Sequence, residues 1–117
     1  TVVGCGGDRD RSKRPVMGNI ASEMSNKVIF TSDNPRTESP SEIIAEMEAG
    51  VEPQNVKKIL SIENREQAIK TACQLAADND IILVAGKGHE TYQETNGVRI
   101  DFDDFKIVKE LLNSLDK

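Results

Sequence analysis

The chain predicts an α/β fold: a mostly parallel, twisted sheet with helices on both faces and a short β-hairpin after the fourth main strand. Three observations carry this. β-prone runs alternate with stretches of helical apolar spacing along the whole chain. One of those runs, Ile81-Ile82-Leu83-Val84-Ala85, is apolar without interruption between Asn79-Asp80 and Gly86, the pattern of a central strand buried on both faces. Asn96-Gly97, between two short polar β-prone pieces, is a strong hairpin signal. Successive parallel strands of this kind are joined by right-handed crossovers.

The elements follow in order. Thr1 to Gly4 is a short β-prone run ending in Gly4-Cys5-Gly6-Gly7, where glycines permit a tight turn and close approach to a ligand. Pro15 fits a first helical turn, and Val16, Met17, Ile20, Ala21 and Met24 have helical spacing. Lys27 to Thr31 is a second strand. Ser39-Pro40-Ser41-Glu42 has the form of a capping box, with Ile43, Ile44 and Met47 as the apolar face and Gly50 as the stop. A third strand lies within residues 56–62. Asn64 and Gln67 can cap a helix whose buried stripe is Ala68, Ile69, Ala72, Cys73, Leu75 and Ala76. After the hairpin, Asp101 can cap a last helix lined by Phe102, Phe105, Val108, Leu111, Leu112 and Leu115.

With 117 residues and 37% apolar content, the chain has the length of one domain with one core, read as residues 1–117. Its 15 basic against 20 acidic residues, a formal charge of −5, argue against a general nucleic-acid or anionic-membrane surface. No apolar run approaches the roughly 18 residues of a membrane span and no charged-then-apolar leader is present, so a cytosolic protein is expected. Cys5 and Cys73 lack metal-ligand spacing and read as reduced thiols, and no metal site is expected. Thr1-Val2-Val3 resembles a strand already under way, which suggests an excised domain.

In such sheets ligands bind beyond the carboxyl ends of the strands. Three polar loops lie there, residues 4–15, 32–38 and 86–91, and they supply Arg9, Asp33, Asn34, Arg36, His89 and Glu90. Pro35 stiffens the second loop, so Arg36 should leave a fixed backbone, its planar fork suited to a carboxylate or phosphate. Arg9, Arg11, Lys13 and Arg14 concentrate positive charge beside it. Two arginines that clamp carboxylates, with Asp33 and Glu90 able to hold an ammonium, suit a zwitterion such as an amino acid. The plainer alternative is a set of charged loop tips in solvent. Asp8 and Asp10 are expected to pair with the nearby arginines. Neither GxxxxGK[ST] nor GxGxxG is present, so neither an autonomous ATPase nor a dinucleotide enzyme is supported. His89, the only histidine, has no nucleophile signature beside it and is read as a hydrogen-bonded structural residue.

Gly4-Cys5-Gly6-Gly7-Asp8-Arg9-Asp10, Lys13-Arg14-Pro15, Met17-Gly18, Asp33-Asn34-Pro35-Arg36 and Gly86-Lys87-Gly88-His89-Glu90, taken together in this order and spacing, resemble the carboxy-terminal domain of the Mur ligases. The resemblance covers essentially the whole chain and is nearest to the members that add meso-diaminopimelate. It implies a Rossmann-like fold and the amino-acid pocket of a three-domain, ATP-dependent ligase of peptidoglycan synthesis. That enzyme activates the carboxylate of a UDP-muramoyl-dipeptide as an acyl phosphate. It further implies a diaminopimelate site of Arg9, Asp33, Asn34, Pro35, Arg36, Gly86 and Glu90, with Glu90 on an amino group and Asp8 facing the nucleotide when the domains close. ATP and Mg2+ would be held by the other domains, with no catalytic residue in this part, which alone should be inactive. A bacterial, cytoplasmic monomer is implied. A guanidinium at position 36 would select diaminopimelate, whose far end carries a second carboxylate, over lysine. A lysine-adding relative, or a stand-alone small-molecule binding or interaction module, are the alternatives.

Overall fold

A computed structural model describes residues 1–87 and 89–116. Its elements run β1 (Val2–Val3), α1 (Lys13–Met24), β2 (Val28–Phe30), α2 (Pro40–Glu48), a 3-10 turn (Pro53–Lys58), β3 (Ile59–Ser61), α3 (Arg65–Leu75), β4 (Val84–Ala85), a hairpin of β5 (Tyr92–Thr95) and β6 (Val98–Asp101), and α4 (Asp104–Ser114). β1 to β4 form one parallel sheet in the order β3-β2-β1-β4, and β5 and β6 pair antiparallel by themselves. Chain order reverses between β1 and β4, which makes their carboxyl ends the topological switch point.

Strand alternation divides the core. Val3, Cys5, Val28 and Phe30 meet Ile43, Ile44 and Met47 of α2, with Met17 and Ala21 of α1 against them. Val2 and Ile29 meet Ala68, Ile69 and Cys73 of α3, with Val108, Leu111 and Leu112 of α4 behind. Successive residues of a strand face opposite ways, so Val2 and Val3 serve different helix pairs. The helices cover both faces, as the sequence predicts.

Several local expectations are corrected. The strand within the run 81–85, Val84–Ala85, lies at the edge and not in the centre: among the described residues it pairs with β1 alone, and Ile81 and Leu83 remain 93% and 57% exposed. Helix α1 turns Arg14, Gly18 and Ser22 inward, leaving Val16, Ile20 and Met24 exposed. The reason is close packing on α2, with Gly18 against the Met47 carbonyl. The Ser39 hydroxyl makes no bond to the α2 backbone and instead meets Ser41 at 2.9 Å, although Pro40 does open the helix. Val56 lies in the 3-10 turn that precedes β3. The Asn64–Gln67 cap forms as expected, with Gln67 N–H donating at 2.9 Å, yet Leu75 is exposed. Asp103 rather than Asp101 caps α4, accepting from Lys106 N–H, because β6 runs through Asp101. Phe105 faces solvent and Ile107 takes its place in the core.

The hairpin turns at Asn96-Gly97, both with positive φ (50° and 78°), the geometry of a tight primed turn. It is docked onto the second loop. Arg36 N–H donates to Glu94 O (3.1 Å) and Asn96 N–H donates to Arg36 O (2.8 Å), joining hairpin and loop as one parallel bridge.

Candidate functional site

The loops after β1, β2 and β4 converge at the switch point. Gly7 N–H donates to Asn34 O (2.7 Å), binding the first loop to the second. Gly86 sits where an added Cβ would be 3.2 Å from Gly4 O and 3.5 Å from Asp33 Oδ2, so the third loop closes against both others. Its φ of +113° is open to glycine at no cost, and an L side chain there would be strained.

Within this cluster the residues form two charge regions. One is acidic. Asp33 (7% exposed) and Glu90 share Lys87, whose Nζ is 2.9 Å from Asp33 Oδ1 and 4.0 Å from Glu90 Oε1. The first contact is an ion pair without an aligned hydrogen bond, since Asp33 Oδ1 has no hydrogen-bond partner in its burial. One ammonium against two carboxylates leaves net negative charge. Because Asp33 is buried beside Lys87, Glu90 is the carboxylate with solvent access. Asn34, 2% exposed, donates from Nδ2 to Glu90 Oε1 at 3.3 Å.

The other region is basic. Arg36 has φ +53° on a loop that Pro35, fully buried, holds in place. Its Nη1 donates to Gly7 O at 2.9 Å and lies beside Gly6, 2.9 Å from where a Cβ would stand; the Arg9 side chain lies 3.7 Å from the same point. Arg9 and Arg36 are therefore neighbours across Gly6. Glu94 Oε2 is 3.9 Å from Arg36 Nε but also pairs with Arg99.

The remaining basic residues are placed differently. Arg14 is 1% exposed: Nη2 donates to Glu38 (2.7 Å) and Gly6 O (3.1 Å), Nη1 to Glu46 (2.8 Å). Arg11 also pairs with Glu46. Arg14 braces the first loop against the α2 side and is not open to an anion, whereas Arg11 pairs with Glu46 at the surface with its side chain 67% exposed. The Arg14 guanidinium, with the Asp8 N–H, lowers Glu38 from 4.5 to about 2. Nor do the aspartates pair with arginines: Asp8 accepts from Thr37 Oγ1 (2.6 Å), and Asp10 accepts from Ser12 N–H and Oγ, which lowers its pKa. Asp8 thus lies on the α2 side of the first loop. Burial pushes the Cys5 thiol up to about 11, so it stays protonated at neutral pH. His89 is exposed, not buried in a network, and Gly88 lies outside the described residues.

Three residues that the sequence reading did not single out hold the site together. Arg65 (1% exposed) forms a bidentate pair with Asp104 (2.8 and 2.7 Å) and donates to Ser32 O and Ala85 O, tying the ends of β2 and β4 to α3 and α4. The available signal was a cation in the first turn of a helix, where the dipole disfavours it unless a carboxylate is near. Gln93 Nε2 donates to Asp33 O (2.7 Å), anchoring the hairpin. Lys87 is the third.

A cavity of about 630 Å3 opens at the opposite, amino end of the strands between Thr1, Met24, Leu60 and Ile81, and none of the sequence-predicted site residues lines it. The loop cluster is the better candidate because convergent charged side chains meet there at the switch point.

Comparison with known proteins places this geometry. Residues 1–88 match the family model described as Mur ligase, glutamate ligase domain. The chain is 61% identical over 117 residues to the UDP-N-acetylmuramoyl-L-alanyl-D-glutamate–2,6-diaminopimelate ligase of Cytophaga hutchinsonii, covering 100% of this chain and 24% of that protein. It is 57% identical over 113 residues to the ligase of the same name from Bacteroides thetaiotaomicron, covering 97% and 23%. A solved structure of a ligase with that name superposes with a TM-score of 0.91 at 47% identity, over 99% of this chain and 24% of the other. The chain spans about a quarter of the length of the curated relatives it matches.

Proposed function

This chain belongs to the Mur ligase family, and from that premise we propose that it is the carboxy-terminal, amino-acid-binding domain of a longer ligase. That enzyme adds meso-diaminopimelate to UDP-N-acetylmuramoyl-L-alanyl-D-glutamate in peptidoglycan synthesis. One observation carries the reading: a basic pair, Arg9 and Arg36, stands beside an acidic group, Asn34–Glu90 with Lys87, across a single loop cluster. A zwitterion with one further carboxylate matches that arrangement, the arginines taking carboxylate and Glu90 taking ammonium. Asp33, Pro35 and Gly86 shape the loops, Asp33 through Lys87 and Gly86 through its closeness to Gly4.

Joining a carboxylate to an amine in water needs an activated acyl group, which ATP with Mg2+ supplies in the reaction proposed. The residues here do not fit that nucleotide: the first loop's Gly7 N–H is engaged by Asn34 O and its Asp8 N–H by Glu38, leaving no cradle of amides for phosphate. Asp8, exposed at the edge of the cluster, is the residue we place toward the nucleotide on closure, and the phosphates themselves go to the rest of the longer protein. This chain's part is to hold the incoming amino acid and aim its amine. Closure of the other domains over the cluster would complete the pocket.

The test is phosphate release by the full-length parent ligase with the muramoyl dipeptide and either meso-diaminopimelate or L-lysine. The parent should prefer diaminopimelate. Arg36→Ala should erode that preference by roughly 1–3 kcal/mol, the scale of a charge-assisted hydrogen bond. An unchanged preference would remove Arg36 from the specificity role, and equal use of lysine by the parent would overturn the substrate.

A further inference from the structure

Lys87 stands at the centre of the loop cluster, its ammonium turned inward and 4.0 Å from Glu90 Oε1. It is 3% exposed. Its Nζ donates to Asn34 Oδ1 (3.0 Å) and to Tyr92 O (2.6 Å), and lies 2.9 Å from Asp33 Oδ1. The rings of Tyr92 and Phe102 lie over it, each centroid at 5.9 Å. An ammonium has three hydrogens; two go to Asn34 Oδ1 and Tyr92 O, and Asp33 balances the charge as an ion pair. Taking such a charge out of water is costly even when paired, so its effect on its partners is what matters.

That effect falls on Asn34. The carboxamide oxygen accepts two hydrogen bonds, from Lys87 Nζ (3.0 Å) and from Glu94 N–H (3.0 Å). Both donors are unambiguous, since neither an ammonium nor a backbone N–H can accept. A flipped amide would aim its own N–H groups at them, so the group has one orientation, with Nδ2 toward Glu90 Oε1 at 3.3 Å. Nδ2 carries two hydrogens, and what it offers beyond Glu90 is a donor.

We propose that Lys87 is a positioning residue that sets the polarity of the amino-acid site by locking the Asn34 carboxamide. Asn34 then presents a donor, suited to a substrate carboxylate, and its bond to Glu90 fixes that carboxylate to receive a substrate ammonium. At 4.0 Å Lys87 is too far from Glu90 for a hydrogen bond and leaves it able to accept from the ligand. The proposal rests on the amino-acid-site reading given above.

The experiment is a double-mutant cycle in the full-length parent ligase with Lys87→Met, Asn34→Ala and both together. It reads KM for meso-diaminopimelate, KM for ATP, kcat and the melting temperature. A loss of folded fraction lowers apparent kcat and leaves KM alone. A positioning role raises KM for diaminopimelate by about tenfold in each single variant, with KM for ATP within about twofold. Acting through one amide, the two changes together should raise it no more than the larger single change. A loss confined to kcat in Lys87→Met, or effects that multiply in the double variant, would overturn the proposal. If Lys87→Met does not fold, Lys87→Leu, which likewise removes the donor, replaces it in the same cycle with the same criteria. Diaminopimelate-independent behaviour of the unsubstituted ligase would overturn this proposal together with the reading beneath it.

Discussion

Substituting Gly7 by alanine would test whether contact between the first and second loops sets the site. A Cβ at residue 7 would lie 1.8 Å from Pro35 O and 2.5 Å from Pro35 C, where real Cβ contacts below 3.0 Å essentially do not occur. The two loops must then part by about 1.2 Å at the least. Pro35 cannot sidestep, being fully buried with its φ held by the ring and its successor bonded on both sides to the hairpin. The first loop therefore yields. The Gly7 N–H to Asn34 O bond, 2.7 Å at present, would open beyond hydrogen-bond range, and Arg36 Nη1 would lose Gly7 O. Arg9 moves with the first loop while Arg36 stays with the second. A displacement near 1 Å in a positioning contact costs on the order of 100-fold, so kcat/KM for diaminopimelate in the full-length ligase should fall by about 2.7 kcal/mol. Gly7 belongs to no strand and to neither apolar cluster, so melting should change less than turnover. Phosphate release at varied diaminopimelate, with a thermal melt alongside, makes the measurement. A kcat/KM within threefold of the parent, with unchanged melting, would refute the claim that this loop clamp sets the spacing of the two arginines.

Arg65→Met should cost about 3–5 kcal/mol in urea denaturation, because it leaves the Asp104 carboxylate, 8% exposed, without its cation; adding Asp104→Asn should recover part of the loss, and a cost below about 1 kcal/mol would mean that the pair is not a staple. Glu38 has its pKa depressed in the fold, from 4.5 to about 2, by Arg14 and the Asp8 N–H, so its stabilising effect is complete above about pH 4.5 and is lost as pH falls from there toward 2. Melting temperatures recorded across that window should fall less steeply for Glu38→Gln than for the parent, and identical slopes would show that Glu38 is not the group responsible.

Much of the architecture was legible in the residue pattern. The β-prone runs at Thr1 to Gly4 and Lys27 to Thr31 do form strands, and Asn96-Gly97 does turn a hairpin. Motif order also brought the right loops together, since Gly86, Asp33 and Gly7 meet at one end of the sheet. The misreadings share a cause. Apolar spacing reports that a helix has a greasy side but not which rows a neighbour covers. In α1 the covered row contains Arg14, because two glutamates from the α2 side wait to pair with it. Likewise Ile81-Ile82-Leu83 is as apolar as any central strand, but strand position depends on how many neighbours the topology provides, and β4 has one.

The sequence by itself determined the fold class, the three polar loops that converge at one end of the sheet and the family, because these depend on local periodicity and on motif spacing along one chain. Only the tertiary structure decided which charges are open to a ligand and which are consumed inside the protein. Arg9, Arg14, Arg36, Arg65 and Lys87 are all cations in one line of text. Folding buries Arg14, Arg65 and Lys87 against oxygens that lie anywhere from 5 to 54 residues away in the chain, while Arg9 and Arg36 come together at the edge of the loop cluster. The physical reason is desolvation: a buried charge must find its partner wherever the fold brings one, and sequence separation says nothing about that distance.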